Sequence, residues 1–332
     1  MKSNIILCFI AMLLLTCCNH QDLCYHHQHG LKIKVEFNWQ NASDASPRGM
    51  CVFFYSEDNS SQYYRFDFNG RDGGYVELPE GRYRIIAYNN DSEVTEFMDY
   101  TNFDSHKAIT RRGNVLESVL GPIAHEQVNG QNVHVSPDDL WCALATEVTV
   151  DKSGISYTCV PYDPDMDFSP AVPVVTTEMV IELFPEDVLC HYTWEVLDIN
   201  GIEQIEKVAG SICGMSHFLL LGGNELATQP ITIPLSCRLT SDGRIEGEFL
   251  TFGHHESVSD PHKIELYAWM KSGKKYVLGR GEENFDVTQQ VHSAPDKRHV
   301  HMIIRGVDVP KDDSGLGASF DDWVSEDHEL PI

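Results

Sequence analysis

Leu31-Lys32-Ile33-Lys34-Val35-Glu36-Phe37-Asn38-Trp39 alternates apolar and polar side chains along its length. Successive side chains of a β-strand point to opposite faces, so this period-two pattern is what a strand with one face on a core and one in water must show. It predicts the first strand of an all-β body. Apolar or alternating runs recur at 50–55, 63–68, 75–78 and 83–89. They are divided by Glu57-Asp58-Asn59-Ser60-Ser61 and Gly70-Arg71-Asp72-Gly73-Gly74, where Gly, Asn, Asp and Ser favour turns. Short strands at this spacing predict a sandwich or barrel.

Further along, Ser136-Pro137-Asp138-Asp139-Leu140-Trp141 has the features of a helix start. Ser136 suits the cap, Pro137 the first helical position and the two aspartates the positive end of the helix dipole. A short helical turn is expected there, before a strand at 145–150. Between 157 and 173 the chain is rich in proline and aspartate, with Pro161-Tyr162-Asp163-Pro164-Asp165-Met166-Asp167 the densest part. This stretch is read as a domain boundary. A second strand series begins at 174–183, where Met179, Ile181 and Leu183 share one face and Glu178 and Glu182 the other. It continues at 190–196, 231–235, 245–252, 264–271 and 300–304, with Lys271-Ser272-Gly273-Lys274 as a hairpin turn. The expectation is two antiparallel β-sandwiches in tandem, 31–156 and 172–310, each with its own core, followed by an acidic flexible tail at 311–332.

The start of the chain follows another plan. Lys2 precedes an apolar run from Ile5 to Leu15, and small residues follow, which is the layout of a secretory signal. The run is shorter than the roughly 20 residues a membrane-spanning helix needs, and the chain turns polar at Asn19-His20-Gln21-Asp22. Leu15-Thr16-Cys17-Cys18 fits the leucine, two small residues and cysteine of a lipoprotein signal, with Cys18 acylated. Cys17 is the alternative, but it would put β-branched Thr16 directly before the cleaved bond. A signal at 1–17 and a lipidated linker at 18–30 are therefore expected, tethering the protein to a membrane. Acyl chains contribute about 0.8 kcal/mol per buried methylene, so several chains on one cysteine make a near-permanent tether.

Fifty acidic against 24 basic residues argue against nucleic acid as a partner, because phosphate binding needs clustered Lys and Arg. With Cys18 acylated, seven other cysteines remain: Cys24, Cys51, Cys142, Cys159, Cys190, Cys213 and Cys237. They show no CxxC spacing and most sit among apolar residues, so most read as small buried hydrophobes. An exported chain also permits one or two disulfides.

Candidate chemistry is sparse, and no cofactor is implied. Histidines cluster at His26-His27-Gln28-His29, His254-His255 and His299-Val300-His301. His299 and His301 would project from one face of a strand and are the weak candidates for a metal, but no carboxylate or cysteine stands at ligand spacing. Gly210-Ser211-Ile212-Cys213-Gly214-Met215-Ser216-His217 is rich in nucleophile types, yet its glycines do not form a Gly-x-Ser-x-Gly elbow. It reads as a glycine-bearing turn. Trp141, Trp194 and Trp269 lie in apolar patterns and read as core. The chain is not expected to be an enzyme.

Five stretches stand out together: Cys18-Asn19-His20-Gln21-Asp22-Leu23-Cys24-Tyr25, Phe66-Asp67-Phe68, residues 78–91 from Leu78-Pro79-Glu80-Gly81-Arg82-Tyr83 onward, Phe252-Gly253-His254-His255 and Val291-His292-Ser293-Ala294-Pro295-Asp296. Together they resemble a family of Bacteroidetes lipoproteins that carries no assigned reaction. That family is similar in plan to minor fimbrial subunits, lipoproteins with two transthyretin-like sandwiches that anchor or cap surface fimbriae. The resemblance implies a surface lipoprotein that anchors or assists fimbria-like structures in adhesion, with a fimbrial subunit as partner. A lipid-anchored module for glycan or protein is the alternative. No binding residues carry over.

Overall fold

The computed structural model describes residues 30–116, 127–128, 130–151, 157–158, 174–175, 179–257, 259–279 and 285–310. The signal at 1–17, Cys17, Cys18, the linker up to 29, Cys24, Cys159, the histidines at 26–29 and the tail at 311–332 lie outside these residues.

Strands dominate the described residues, with little helix. One sheet of the first half runs β13 (Met179–Leu183), β1 (Leu31–Phe37), β4 (Gly73–Leu78). The other runs β14 (Glu186–Asp187), β10 (Trp141–Val150), β5 (Gly81–Asn89), β2 (Gly49–Ser56), β3 (Tyr63–Asn69). In the second half one sheet runs β20 (Arg238–Leu239), β21 (Ile245–Thr251), β15 (Cys190–Asn200), β25 (His299–Asp308). Its companion runs β19 (Pro230–Leu235), β16 (Ile205–Ser216), β22 (Lys263–Met270), β23 (Lys275–Leu278), and β24 (Phe285–Asp286) also pairs with β22. A further sheet joins the halves, β18 (Glu225–Leu226), β17 (Phe218–Leu220), β7 (Lys107–Thr110), β6 (Thr95–Met98). Two ribbons, β8 (Gln127–Val128) with β9 (Gln131–Asn132) and β11 (Tyr157–Thr158) with β12 (Val174–Val175), and the short helix α1 (Thr288–Ser293) complete the elements used below.

Alternation decides which face each outer strand buries. β1 turns Leu31, Ile33, Val35 and Phe37 into the core, and they meet Met50, Val52, Phe54, Ile85 and Ala87 of the facing sheet. In the second half Tyr192, Trp194 and Val196 of β15 meet Ile212, Leu266 and Ala268 in the same way. The halves share a plan as well. The first strand of each pairs in parallel with a late one, β1 with β13 and β15 with β25, and antiparallel with β4 or β21 on its other side.

That plan revises two expectations. Residues 179–183 read as the opening of the second sandwich, yet Ile33 pairs with Met179 and Phe37 with Leu183, so the strand belongs to the first. A parallel partner must be reached by a long crossover, and the proline-rich stretch lies on that connection. Each sandwich therefore carries one parallel pair where purely antiparallel sheets were expected.

Central strands break the alternation because both their faces are covered. β2 is buried from Gly49 to Tyr55. Met50, Val52 and Phe54 face the first core, while Cys51, Phe53 and Tyr55 face a second cluster with Ile86, Tyr88, Phe103, Leu140, Leu189, Leu219 and Phe252. That second cluster draws on both halves. A smaller one packs Val115, Leu116 and Val133 against Ala209 and Tyr267 of the second half. The excursion between β5 and β10 thus covers outer faces of both sandwiches, and Val133 bridges to Thr232.

Two local readings differ from the structure. Residues 136–141 form no helical turn: 136–140 carry no regular secondary structure and Trp141 opens β10, while the Ser136 and Asp138 side chains that would cap a turn serve remote partners. Ser136 Oγ donates to the Leu250 carbonyl at 2.7 Å and accepts the Leu250 N–H at 3.0 Å. The Asp138 carboxylate accepts the Ser92 hydroxyl at 2.5 Å and the Glu93 and Val94 amides at 2.7 Å each. The supposed turn at 210–217 lies almost wholly within β16, with a bulge between Ile212 and Met215 where Gly214 takes φ +87°. The hairpin at 271–274 forms as expected, with Gly273 at φ +87° and its N–H on the Met270 carbonyl at 2.8 Å.

Candidate functional site

Among the described residues, three metal-capable side chains converge where the chain leaves β21, enters β22 and turns through α1: His254, His262 and His292. Their ligand atoms lie within 4.8 Å of one another. His262 Nε2 is 3.1 Å from His292 Nε2, and the His254 and His292 rings stack at 4.9 Å with 10° between their planes. His262 is buried beside the β16 bulge, where its Nδ1 lies 3.2 Å from the Cys213 carbonyl oxygen. That oxygen can only accept, so Nδ1 carries the proton and Nε2 presents its lone pair. Gly214 makes the approach possible, since a Cβ there would sit 2.7 Å from His262 Nδ1. His254 is buried next to Tyr192, whose hydroxyl is 3.4 Å from its Nδ1. Burial, before neighbouring charge, lowers His254 and His262 to about 4, so both rings are neutral at pH 7.

The residues nominated from sequence are not gathered into a comparable site. His299 and His301 do share a face of β25, but each is exposed and has its own partner. His299 Nδ1 is 2.9 Å from Asp296 Oδ2, whereas His301 Nδ1 is 2.9 Å from Thr193 Oγ1. His255 turns away to Ser257, whose hydroxyl is 2.7 Å from its Nδ1. Ser211 is buried against the Tyr267 hydroxyl at 3.3 Å, and the Cys213 thiol is pushed up by burial, so neither is an activated nucleophile. Cys51, Cys142, Cys190, Cys213 and Cys237 are free thiols, and the first four are buried. Trp194 is core, and Trp141 and Trp269 pack partly buried against apolar clusters. His262 was not singled out in the sequence, where intervals of eight and thirty residues between the three ligands form no motif.

The second feature is a sheet edge. Several sheets end on strands of two to four residues, and β19 carries Pro230 and Pro234. β3 is seven residues long, has no proline, and stands at the end of its sheet with no strand paired to its outer side among the described residues. Tyr64, Phe66 and Phe68 lie along it half-buried, with Phe66 edge-on to Phe54 at 5.8 Å and Phe68 edge-on to Phe37 at 6.0 Å. On the other face Arg65 pairs with Asp67 at 2.9 Å and lies over the Phe53 ring.

Comparison with known proteins places the fold. A Bacteroides ovatus protein, provisionally named fimbrium anchoring subunit Fim4B, is 24% identical over 360 residues, covering 97% of this chain and 96% of that one. A crystal structure of a Bacteroides ovatus protein, provisionally described as an adhesin, has a TM-score of 0.59 at 18% identity and covers 86% of this chain and 94% of its own. This chain therefore has that protein's fold. The fimbrial anchor protein Mfa2 of Porphyromonas gingivalis has a TM-score of 0.44 at 15% identity, covering 83% and 90% of the two chains. The profile of the family described as a domain of unknown function, DUF5119, matches residues 17–236, and this chain belongs to that family.

Proposed function

We propose that this protein is a surface lipoprotein of the outer membrane that anchors or assists a fimbria-like structure in adhesion. The carrying observation is the end-to-end alignment with the relative provisionally named as an anchoring subunit, which covers nearly all of both chains. The β3 edge supports it. An extended partner segment laid against β3 would gain main-chain hydrogen bonds and cover the half-buried Tyr64, Phe66 and Phe68 with its own alternate side chains. This requires no catalytic group and no cofactor.

Tethering is assigned to Cys18, and the family match begins at the adjacent Cys17. Cys18→Ala is expected to release the protein from membranes or stop its maturation. Unchanged membrane fractionation and lipid labelling would remove the tether from the reading. The function itself is tested by mild extraction from the native membrane and affinity purification. A fimbrial subunit is expected in the complex, and recovery of the monomer alone would contradict the assignment.

A further inference from the structure

The three converging histidines serve neither the tether nor the β3 edge. We propose that the imidazoles of His254, His262 and His292 bind one divalent transition-metal ion of the zinc class, leaving a fourth position for water or an added ligand. Geometry comes first. A tetrahedral ion with bonds of about 2.0–2.1 Å holds its ligand nitrogens about 3.3 Å apart. The His262 and His292 nitrogens are already 3.1 Å apart, and no ligand atom of the three is more than 4.8 Å from another. Closing the widest gap requires a movement of about 1.5 Å by a ring, within reach of His292 on its short, partly exposed helix.

Ligand chemistry agrees with this geometry. His262 gives its Nδ1 proton to the Cys213 carbonyl, which is the outer hydrogen bond that orients a metal-binding histidine and makes Nε2 a better donor. Backbone is bent to bring the rings in. Gly214 at φ +87° and Gly253 at φ +109° flank the site, a conformation L side chains rarely adopt, and a Cβ at Gly214 would collide with His262. A plain apolar core needs none of this, since aliphatic side chains would fill the same volume without two imidazole nitrogens facing each other. Imidazole-only ligands favour zinc, copper, nickel or cobalt over calcium or magnesium, which take oxygen ligands. The bound ion would join α1 to the β21–β22 connection and to the β16 bulge.

Cobalt(II) is the probe, because its visible absorption reports tetrahedral nitrogen ligation directly. The full chain at pH 7.5 is expected to develop that spectrum with one equivalent of Co2+ and to lose it to one equivalent of Zn2+. His292→Ala, at the partly exposed end of the site, should keep the fold and lose the spectrum. Its Zn2+ affinity should fall by more than the roughly ten- to hundred-fold that removal of an outer-shell partner costs. His292→Gln is measured in parallel in case the alanine variant unfolds. A His299→Ala, His301→Ala double variant should retain the spectrum. No tetrahedral spectrum in the parent, an undiminished one in both His292 variants, or equal loss in the double variant would each overturn the site.

Discussion

β3 and β25 both end a sheet, and both are long enough to pair with a further strand, yet they are finished differently. β25 runs for ten residues, and its middle is covered by α1. There Gln290 donates its Nε2–H to the Ile303 carbonyl at 2.9 Å and accepts the Ile303 N–H at 2.7 Å. A side-chain amide thus takes the place of a neighbouring peptide, one of the ways proteins blunt an edge against unwanted pairing. Along β3 the structure holds no equivalent among the described residues, and the rim bears half-buried aromatic rings. One edge is closed from within the chain, and the other is left open among the described residues.

Acid should blur this contrast most. His106, His254 and His262 are held near pKa 4 by burial, below the 6.5 of an unfolded histidine. Between those values the unfolded chain binds more protons than the folded one, so stability falls as pH drops from 6.5 towards 4. The three together should cost on the order of several kcal/mol, read from urea midpoints across that window. Both edges should loosen, because His106 bonds the Tyr55 and Tyr88 hydroxyls of β2 and β5, in the sheet that β3 ends, at 2.7 and 3.1 Å while the other two stand beside α1. The lowered Asp138 carboxylate acts in a different window, contributing stability that is lost below its ordinary pKa of 3.8.

Phe54→Ala acts on the first core, beneath β3. It removes a fully buried ring that supports Phe66 and Tyr83, at an expected cost of about 3–5 kcal/mol in the unfolding transition. Gln290→Ala acts on β25 alone. Two hydrogen bonds at about 0.5–1.5 kcal/mol each are lost, and amide exchange at Ile303 should quicken while β3 is untouched. Equal exchange in parent and variant would show that Gln290 does not close the edge. The smallest effect is expected from Arg65→Ala, whose exposed pair with Asp67 is worth less than about 1 kcal/mol, so that any larger change in partner binding would report the edge and not the fold.

The parts of this picture legible in the sequence are those where one local pattern suffices. β1 announces itself by alternation, β2 by an unbroken apolar run, and the 271–274 turn by its glycine. β13 was legible as a strand, but nothing local says that it returns to β1. β16 was missed because a strand covered on both faces loses its alternation, and its glycines look like a turn. Gly210 is there for a different reason: a Cβ would lie 3.1 Å from Cys237 Sγ and 3.2 Å from Leu266. At 136–141 correct capping chemistry was read as local when its partners are 43 to 114 residues away. The histidines show the same limit, since closely spaced His299 and His301 drew attention while the converging set is assembled only by the fold.

Photocrosslinking along the two edges tests the central claim most directly. A benzophenone amino acid is placed at position 65 on β3 or at position 305 on β25, both exposed, in cells that display fimbriae. The expected result is a covalent adduct with a fimbrial subunit from position 65 and none from position 305. No adduct at 65, or equal adducts at both positions, would contradict it.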